Sequence, residues 1–180
     1  MVRIVSGLLF LLLPLPLWAE VQVSAGWQIY EVGYDAGDSE LGASEPDDSG
    51  YTLTAVAHRQ FGQQGNHYFG TGITVADILG DTMLGFRAMD YQYEWASRYR
   101  AGMFFGAASL DSGSSQSGYY FGFNFSVLNL GVEGLDAAFE YTHGDGLGRD
   151  TLFADDPQIE KPDFFLDFNT LSLSISYRFK

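Results

Sequence analysis

The chain has 180 residues, with 23 acidic against 9 basic side chains and a formal net charge of −14. One domain is the count expected at this length, and so acidic a chain excludes nucleic acid as a partner, because phosphate binding needs a basic surface. Cysteine is absent, which removes disulfides, thiol catalysis, thiolate metal sites and a lipoprotein anchor together.

Residues 1–19 read as a secretory signal peptide. Arg3 is the positive start, residues 4–18 the apolar core and Ala19 the cleavage site. The stretch is short and contains Pro14 and Pro16, which disfavours a membrane helix. Residues 20–180 are then the single domain. Cleavage would remove Arg3 and no acid, taking the charge from −14 to −15. No later segment has the apolar run of a membrane helix, so any crossing of a membrane falls to strands.

Eight stretches alternate apolar and polar residues with period 2, the pattern of a strand whose two faces differ. Residues 21–34 set Val23, Ala25, Trp27 and Ile29 on one face. Residues 51–61 oppose Tyr51, Leu53, Ala55 and Ala57 to Thr52, Thr54, His58 and Gln60, and a Gly-Gln-Gln-Gly-Asn turn at 62–66 follows. Residues 67–79 oppose Thr71, Ile73 and Val75 to Gly70, Gly72 and Thr74. Residues 83–95 alternate Met89, Tyr91, Tyr93 and Trp95 with Asp90, Gln92 and Glu94; Leu84 and Phe86 are out of phase, which predicts a bulge near 87–88.

Residues 98–109 alternate Tyr99, Ala101, Met103 and Phe105 with Arg98, Arg100, Gly102 and Gly106. Residues 119–128 set Tyr119, Phe121, Phe123 and Phe125 against Tyr120, Gly122, Asn124 and Ser126. Residues 135–143 set Ala137, Phe139 and Tyr141 against Asp136, Ala138, Glu140 and Thr142. Residues 170–180 alternate without a break: Leu171, Leu173, Ile175, Tyr177 and Phe179 against serines, Thr170, Arg178 and Lys180.

The long connections, 36–50, 110–118 and 145–168, alternate with the shorter 62–66, 96–97 and 129–134; the brief link at 80–82 departs from that alternation. The first and last of the long ones are acidic, with Asp38, Glu40, Glu45, Asp47 and Asp48 in one and Asp145, Asp150, Asp155, Asp156, Glu160, Asp163 and Asp167 in the other.

The last strand, with Tyr177 and the penultimate Phe179, resembles the C-terminal strand of bacterial outer-membrane β-barrel proteins. Over residues 21–180 the chain is similar to the small eight-stranded barrels of the OmpA/OmpX-like type. The resemblance implies an all-β fold: an eight-stranded antiparallel up-and-down transmembrane barrel with both termini periplasmic, in the outer membrane of a Gram-negative bacterium. It implies outer-membrane lipids and lipopolysaccharide as surroundings. It also implies barrel-assembly machinery that reads Tyr177 and Phe179 as a C-terminal assembly signal. A monomer is favoured, and no cofactor is expected.

In such a barrel the polar faces meet in a lumen just wide enough for side chains. Asp90, Glu94, Arg98, Arg100, Asp136, Glu140 and Arg178 are the candidates for a lumen charge network, since unpaired buried charge is costly. Expected pairs are Glu94 with Arg98 or Arg100, and Arg178 with Asp136 or Glu140. A plug of salt bridges is favoured over a conducting pore. Trp27, Tyr91, Tyr93, Trp95, Tyr99, Tyr119, Tyr141 and Tyr177, with Tyr51, read as interfacial aromatic girdles. Arg59 and Arg87 fall on the apolar parity and are expected at interfaces, where long side chains snorkel.

His143 is the one residue that raises an enzyme question, because some small outer-membrane barrels modify lipid A with a histidine, a serine and an acidic partner. Gly144 and Asp145 occupy the region where the deacylase pattern has a serine, and nothing ties Ser109, Ser112, Ser114 or Ser115 to His143. Residues 145–150 lack the spaced carboxylates of a calcium loop, so no metal site and no catalytic set is assigned. The expected function is a non-enzymatic barrel displaying acidic extracellular loops, for envelope integrity or surface interaction. The alternatives are a narrow pore with a charged lumen and a lipid A-modifying enzyme centred on His143. A soluble lipocalin-like barrel would have to turn Phe105, Phe121, Phe123, Phe125 and Phe139 inward, where they would crowd one another.

Overall fold

The computed structural model describes residues 19–35, 45–62, 64–111, 117–149 and 164–179. Its strands are β1 (Ala19–Asp35), β2 (Glu45–Phe61), β3 (His67–Ile78), β4 (Asp81–Trp95), β5 (Tyr99–Leu110), β6 (Gly118–Val127), β7 (Leu135–Arg149) and β8 (Phe164–Phe179). Each pairs antiparallel with its neighbour in the chain, and β8 pairs back onto β1, so the sheet is a closed eight-stranded barrel without an open edge. No described residue is helical.

Alternation forms these strands, and left-handed residues turn them. Leu79 and Gly80, with φ of 55° and 79°, make the two-residue link between β3 and β4, the primed turn whose twist suits a hairpin. Ala96 and Ser97, both at 53°, turn β4 into β5, and the Arg98 amide donates to the Trp95 carbonyl at 3.4 Å.

Three strands run further than their alternation predicts. β2 starts at Glu45 rather than 51, β7 continues to Arg149 rather than 143, and β8 starts at Phe164 rather than 170. Glu45, Asp47, Asp48, Asp145 and Asp167 therefore lie on strands, not in loops as expected. The acids expected at 38, 40, 150, 155, 156, 160 and 163 lie outside the described residues. So does the signal segment apart from Ala19, which opens β1 opposite Arg59.

The bulge expected near 87–88 is present. The register of β4 shifts between Arg87 and Met89 against β5, and β3 shifts between Gly70 and Gly72 against β4. Ala88 and Met89 both face outward, and Arg87 on the other side of the bulge faces in. The Thr71 hydroxyl, on the outer wall, donates to the Arg87 carbonyl at 2.6 Å. That bond engages a backbone acceptor at the place where the ladder is broken.

Candidate functional site: the filled interior and the outer wall

The polarity of the barrel is inverted. Asp90 and Asp136 are fully buried and Arg100 is 1% exposed, whereas Trp27 on the outer wall is 61% exposed and Leu173 67%. Phe105, Phe121, Phe123, Phe125 and Phe139, the residues a soluble barrel would turn inward, face outward.

The interior has two halves. The half nearer the short turns is charged. Arg100 donates to Glu20 at 2.7 Å, to Glu94 at 2.9 Å and to Gln92 at 3.3 Å, with its guanidinium 3.8 Å over the Tyr68 ring. Arg178 donates from Nε to Asp136 at 2.5 Å and from Nη2 to Asp136 at 3.1 Å and to Asn129 at 3.0 Å, and it reaches Glu20 at 3.5 Å. Glu20 on β1 thereby links the last strand to β5 across the lumen.

A second cluster lies further in. Arg87 donates to Glu140 at 2.6 Å, to Asp90 at 3.2 Å and to Thr74 at 3.1 Å, with its guanidinium 3.8 Å over the Phe104 ring. Asp90 also takes His58 Nε2 at 2.8 Å and Gln92 at 3.0 Å. As a carboxylate is an acceptor only, His58 donates from Nε2 here.

Toward the long connections the filling becomes apolar. Tyr30, Val32, Ile78, Met83, Phe104, Leu110, Tyr120, Leu147, Leu166 and Phe168 form one buried cluster inside the barrel. Glycines make room for the rings. A Cβ on Gly122 would stand 2.4 Å from the Phe104 ring, and one on Gly85 2.8 Å from the Tyr120 hydroxyl. Among the described residues, two internal cavities beside Arg87 measure about 30 Å³, next to Gln22 and Asn124, and about 10 Å³, next to Thr74 and Phe168.

The structure brings Asp90, Glu94, Arg100, Asp136, Glu140 and Arg178 into the interior. Arg98 is a correction. It is exposed in the turn between β4 and β5, because three residues there leave the ladder before β5 begins at Tyr99. Arg87 is a second correction, since the bulge moves it from the outward parity to the interior, where it is 2% exposed. Arg59 does face outward and is exposed.

Sequence reasoning missed Glu20, His58 and Arg87 as members of the cluster. Parity along β2 carried the signal for His58. For Arg87 the signal was the predicted bulge, once applied to the residue beside it.

On the outer wall, Trp27, Tyr93, Trp95, Tyr99, Tyr119 and Tyr177 are exposed, and Tyr91 and Tyr141 are partly so. Near the short turns the rings run together. Phe61, His67 and Tyr91 neighbour one another, as do Tyr93, Trp95, Tyr99 and Phe125, and Tyr177 packs edge-on to Phe179 at 4.8 Å.

His143 lies on the outward parity near the long connections. Its Nδ1 is 3.0 Å from Asn169 Oδ1, which also accepts from the Tyr141 hydroxyl at 2.7 Å. No hydroxyl nucleophile is hydrogen-bonded to His143 among the described residues. Beside it, Tyr119 donates to Asp145, and the Gly146 amide donates to Asp167 at 3.2 Å. No cluster of three metal-ligating side chains occurs among the described residues.

No family model matches the chain, and no curated protein matches it. Several solved structures are similar. Ail, the attachment invasion locus protein of Yersinia pestis, in complex with the heparin analogue sucrose octasulfate, is 14% identical with a TM-score of 0.47, over 90% of this chain and 99% of that one. Outer membrane protein AlkL in DMPC lipid bilayers is 19% identical with a TM-score of 0.48, over 91% of each chain. Neisserial surface protein A is 14% identical with a TM-score of 0.46, over 88% of this chain and 97% of that one. At this identity and overlap the likenesses carry neither a family nor an activity to this chain.

Proposed function

We propose that this chain is an outer-membrane β-barrel of a Gram-negative bacterium, a non-enzymatic scaffold whose filled interior holds the wall rigid while its long acidic connections meet the outside. One observation carries the reading: a closed barrel with its charges inside and a band of Trp, Leu, Ile and Phe outside. A closed sheet has no open edge, so its ladders pair the wall backbone without water, and at the bulge the Thr71 hydroxyl takes up the Arg87 carbonyl; such pairing is the condition for crossing hydrocarbon.

The orientation follows from the connections. Outer-membrane barrels have short periplasmic turns and longer extracellular loops. The turns at 62–66, 96–98 and 129–134, with both ends of the barrel chain, therefore belong on the periplasmic side. Outer-membrane lipids and lipopolysaccharide are the surroundings, barrel-assembly machinery is the partner during insertion, and Tyr177 and Phe179 are the residues offered to it. The interior pairs act as a structural plug: cavities of about 30 and 10 Å³ hold one or two water molecules, not a conducting file.

The test is migration of the mature protein on a detergent gel after folding into micelles, boiled against unboiled. A compact band that shifts on boiling is expected. A protein that is soluble without detergent and gives an unshifted band would overturn the membrane reading.

A further inference from the structure

On the outer wall, a shallow apolar groove of about 340 Å³ runs from the start of β7 across β8, β1 and β2 to β3, lined by Val23, Ala25, Leu53, Ala55, Ile73 and Ile175 among others. It exists because Ala25 and Ala55 are short where the next outward positions along β1 and β2 carry Trp27 and Leu53. Below it, toward the short turns, the outward column of β2 continues through Ala57 to Arg59. At about 3.3 Å per residue, Arg59 lies roughly 13 Å along the strand from Ala55.

Between the end ring Phe61 and the groove, the outward faces of β1 and β2 carry no ring. The outward residues there are Val21, Ala57 and Arg59, although rings stand on both sides, at Tyr177 and Phe179 on β8 and at Phe69 and Tyr91 on β3 and β4. Arg59 has no carboxylate partner among the described residues. Among described side chains it shares exposure only with Arg98 of all the cations, Arg87, Arg100 and Arg178 being buried.

We propose that this groove and Arg59 together form a binding site for one glycerophospholipid of the periplasmic leaflet. The phosphodiester pairs with the Arg59 guanidinium and an acyl chain lies along Ala57, Ala55 and Ala25. Charge complementarity selects the occupant. A purely apolar partner leaves an interfacial guanidinium unpaired, whereas a phosphodiester takes charge-assisted hydrogen bonds from it. On a chain of net charge −14, an exposed cation attracts an anionic headgroup, and Arg59 is the one that continues the column of the groove on β2. The missing rings leave the chain a path from the interface to the groove. The site rests on the reading of the outer wall as lipid-facing.

The experiment is native mass spectrometry of the folded protein released from micelles, titrated with palmitoyl-oleoyl phosphatidylethanolamine and, separately, with diacylglycerol bearing the same chains. Wild type is expected to saturate at one phospholipid and to hold diacylglycerol less well. Arg59→Gln removes the charge and weakens the phospholipid roughly tenfold, the scale of one charge-assisted hydrogen bond, while leaving diacylglycerol unchanged. Ala55→Leu fills the groove and weakens both lipids.

Binding that rises without saturation, or an Arg59→Gln variant that binds the phospholipid as wild type does, would overturn the site. The boiled-against-unboiled gel is run on every variant. A wild-type protein that gives no shifting band sinks the membrane reading itself, whereas a shifting band without a saturable lipid sinks only the site.

Discussion

At the scale of single residues, the interior is built from guanidiniums that each hold more than one acid, two of them, Arg87 and Arg100, lying over a ring. Removing one member of a buried pair leaves the other uncompensated, which costs more than the pair itself contributes. Asp90 accepts from Arg87, His58 and Gln92, so Asp90→Ala strands three donors at once. It is expected to cost about 3–5 kcal/mol, read as a lowered urea midpoint of the gel shift in micelles; a midpoint equal to wild type would deny the cluster a structural role. A second prediction concerns Asp167, above the outward band that begins at Leu171 on β8. Partial burial and the neighbouring Asp145 carboxylate hold the Asp167 carboxyl above the usual carboxylate range, against the opposing hydrogen bond from the Gly146 amide. The folded state then binds the proton more tightly than the unfolded chain, so stability falls as pH rises from the ordinary carboxyl range through the raised one. Asp167→Asn is expected to raise the temperature of the gel shift at neutral pH and to leave it unchanged at acid pH. Equal gains at both would mean that titration is not the cause. Position parity made Asp90, Glu94, Arg100, Asp136, Glu140 and Arg178 legible as inward residues. It misplaced Arg98, because a tight turn has no parity, and Arg87, because a bulge reverses it.

At the scale of elements, alternation showed where strands run through the wall and not where they end. Within the band, outward residues are apolar and inward ones polar or small, so the period is plain. Beyond it the outward side carries acids such as Asp145 and Asp167, while Leu147, Leu166 and Phe168 point inward. The pattern thus inverts, and the ends of β7 and β8 read as an acidic loop containing stray apolar residues. The bulge in β4 was legible from the phase change between Phe86 and Met89, but its compensation was not, because Thr71 lies on another strand. That hydroxyl is the described partner that the bulge gives the Arg87 carbonyl on the outer wall, where water does not compete for it. Thr71→Val, which keeps the shape and removes the donor, is expected to cost about 1–3 kcal/mol, the scale of an unsatisfied buried acceptor. Thr71→Ser is expected to retain most of the wild-type stability. Urea titrations of both in micelles check the pair, and a Val variant as stable as the Ser variant would mean that the freed carbonyl costs nothing there.

For the molecule as a whole, the question the sequence left between plug and pore turns on how the two halves of the interior are arranged in series. Charges along the inward positions favoured a plug of salt bridges. Tyr120 was legible as inward by parity, but Leu166 and Phe168 lay in what read as an acidic connection, so the apolar half of the filling was not legible. In the barrel these three close one half. Any ion crossing the charged half meets the Phe104, Tyr120 and Phe168 rings, packed with Leu147 and Leu166 at essentially no exposure. A hydrophobic constriction blocks ions by excluding water even before side chains touch, and here the side chains already fill the space. The charged half offers no path of its own, since Arg87, Arg100 and Arg178 are each held by acids from two strands, and moving one aside would leave buried charge unpaired. The folded protein in a planar bilayer is therefore expected to give no unitary conductance steps at neutral pH. Phe104→Ala alone should leave it silent, because the remaining rings and leucines still close the section. Regular steps from the wild type, of constant size and scaling with salt, would show an open path through the apolar half and return the charged residues to the role of a filter.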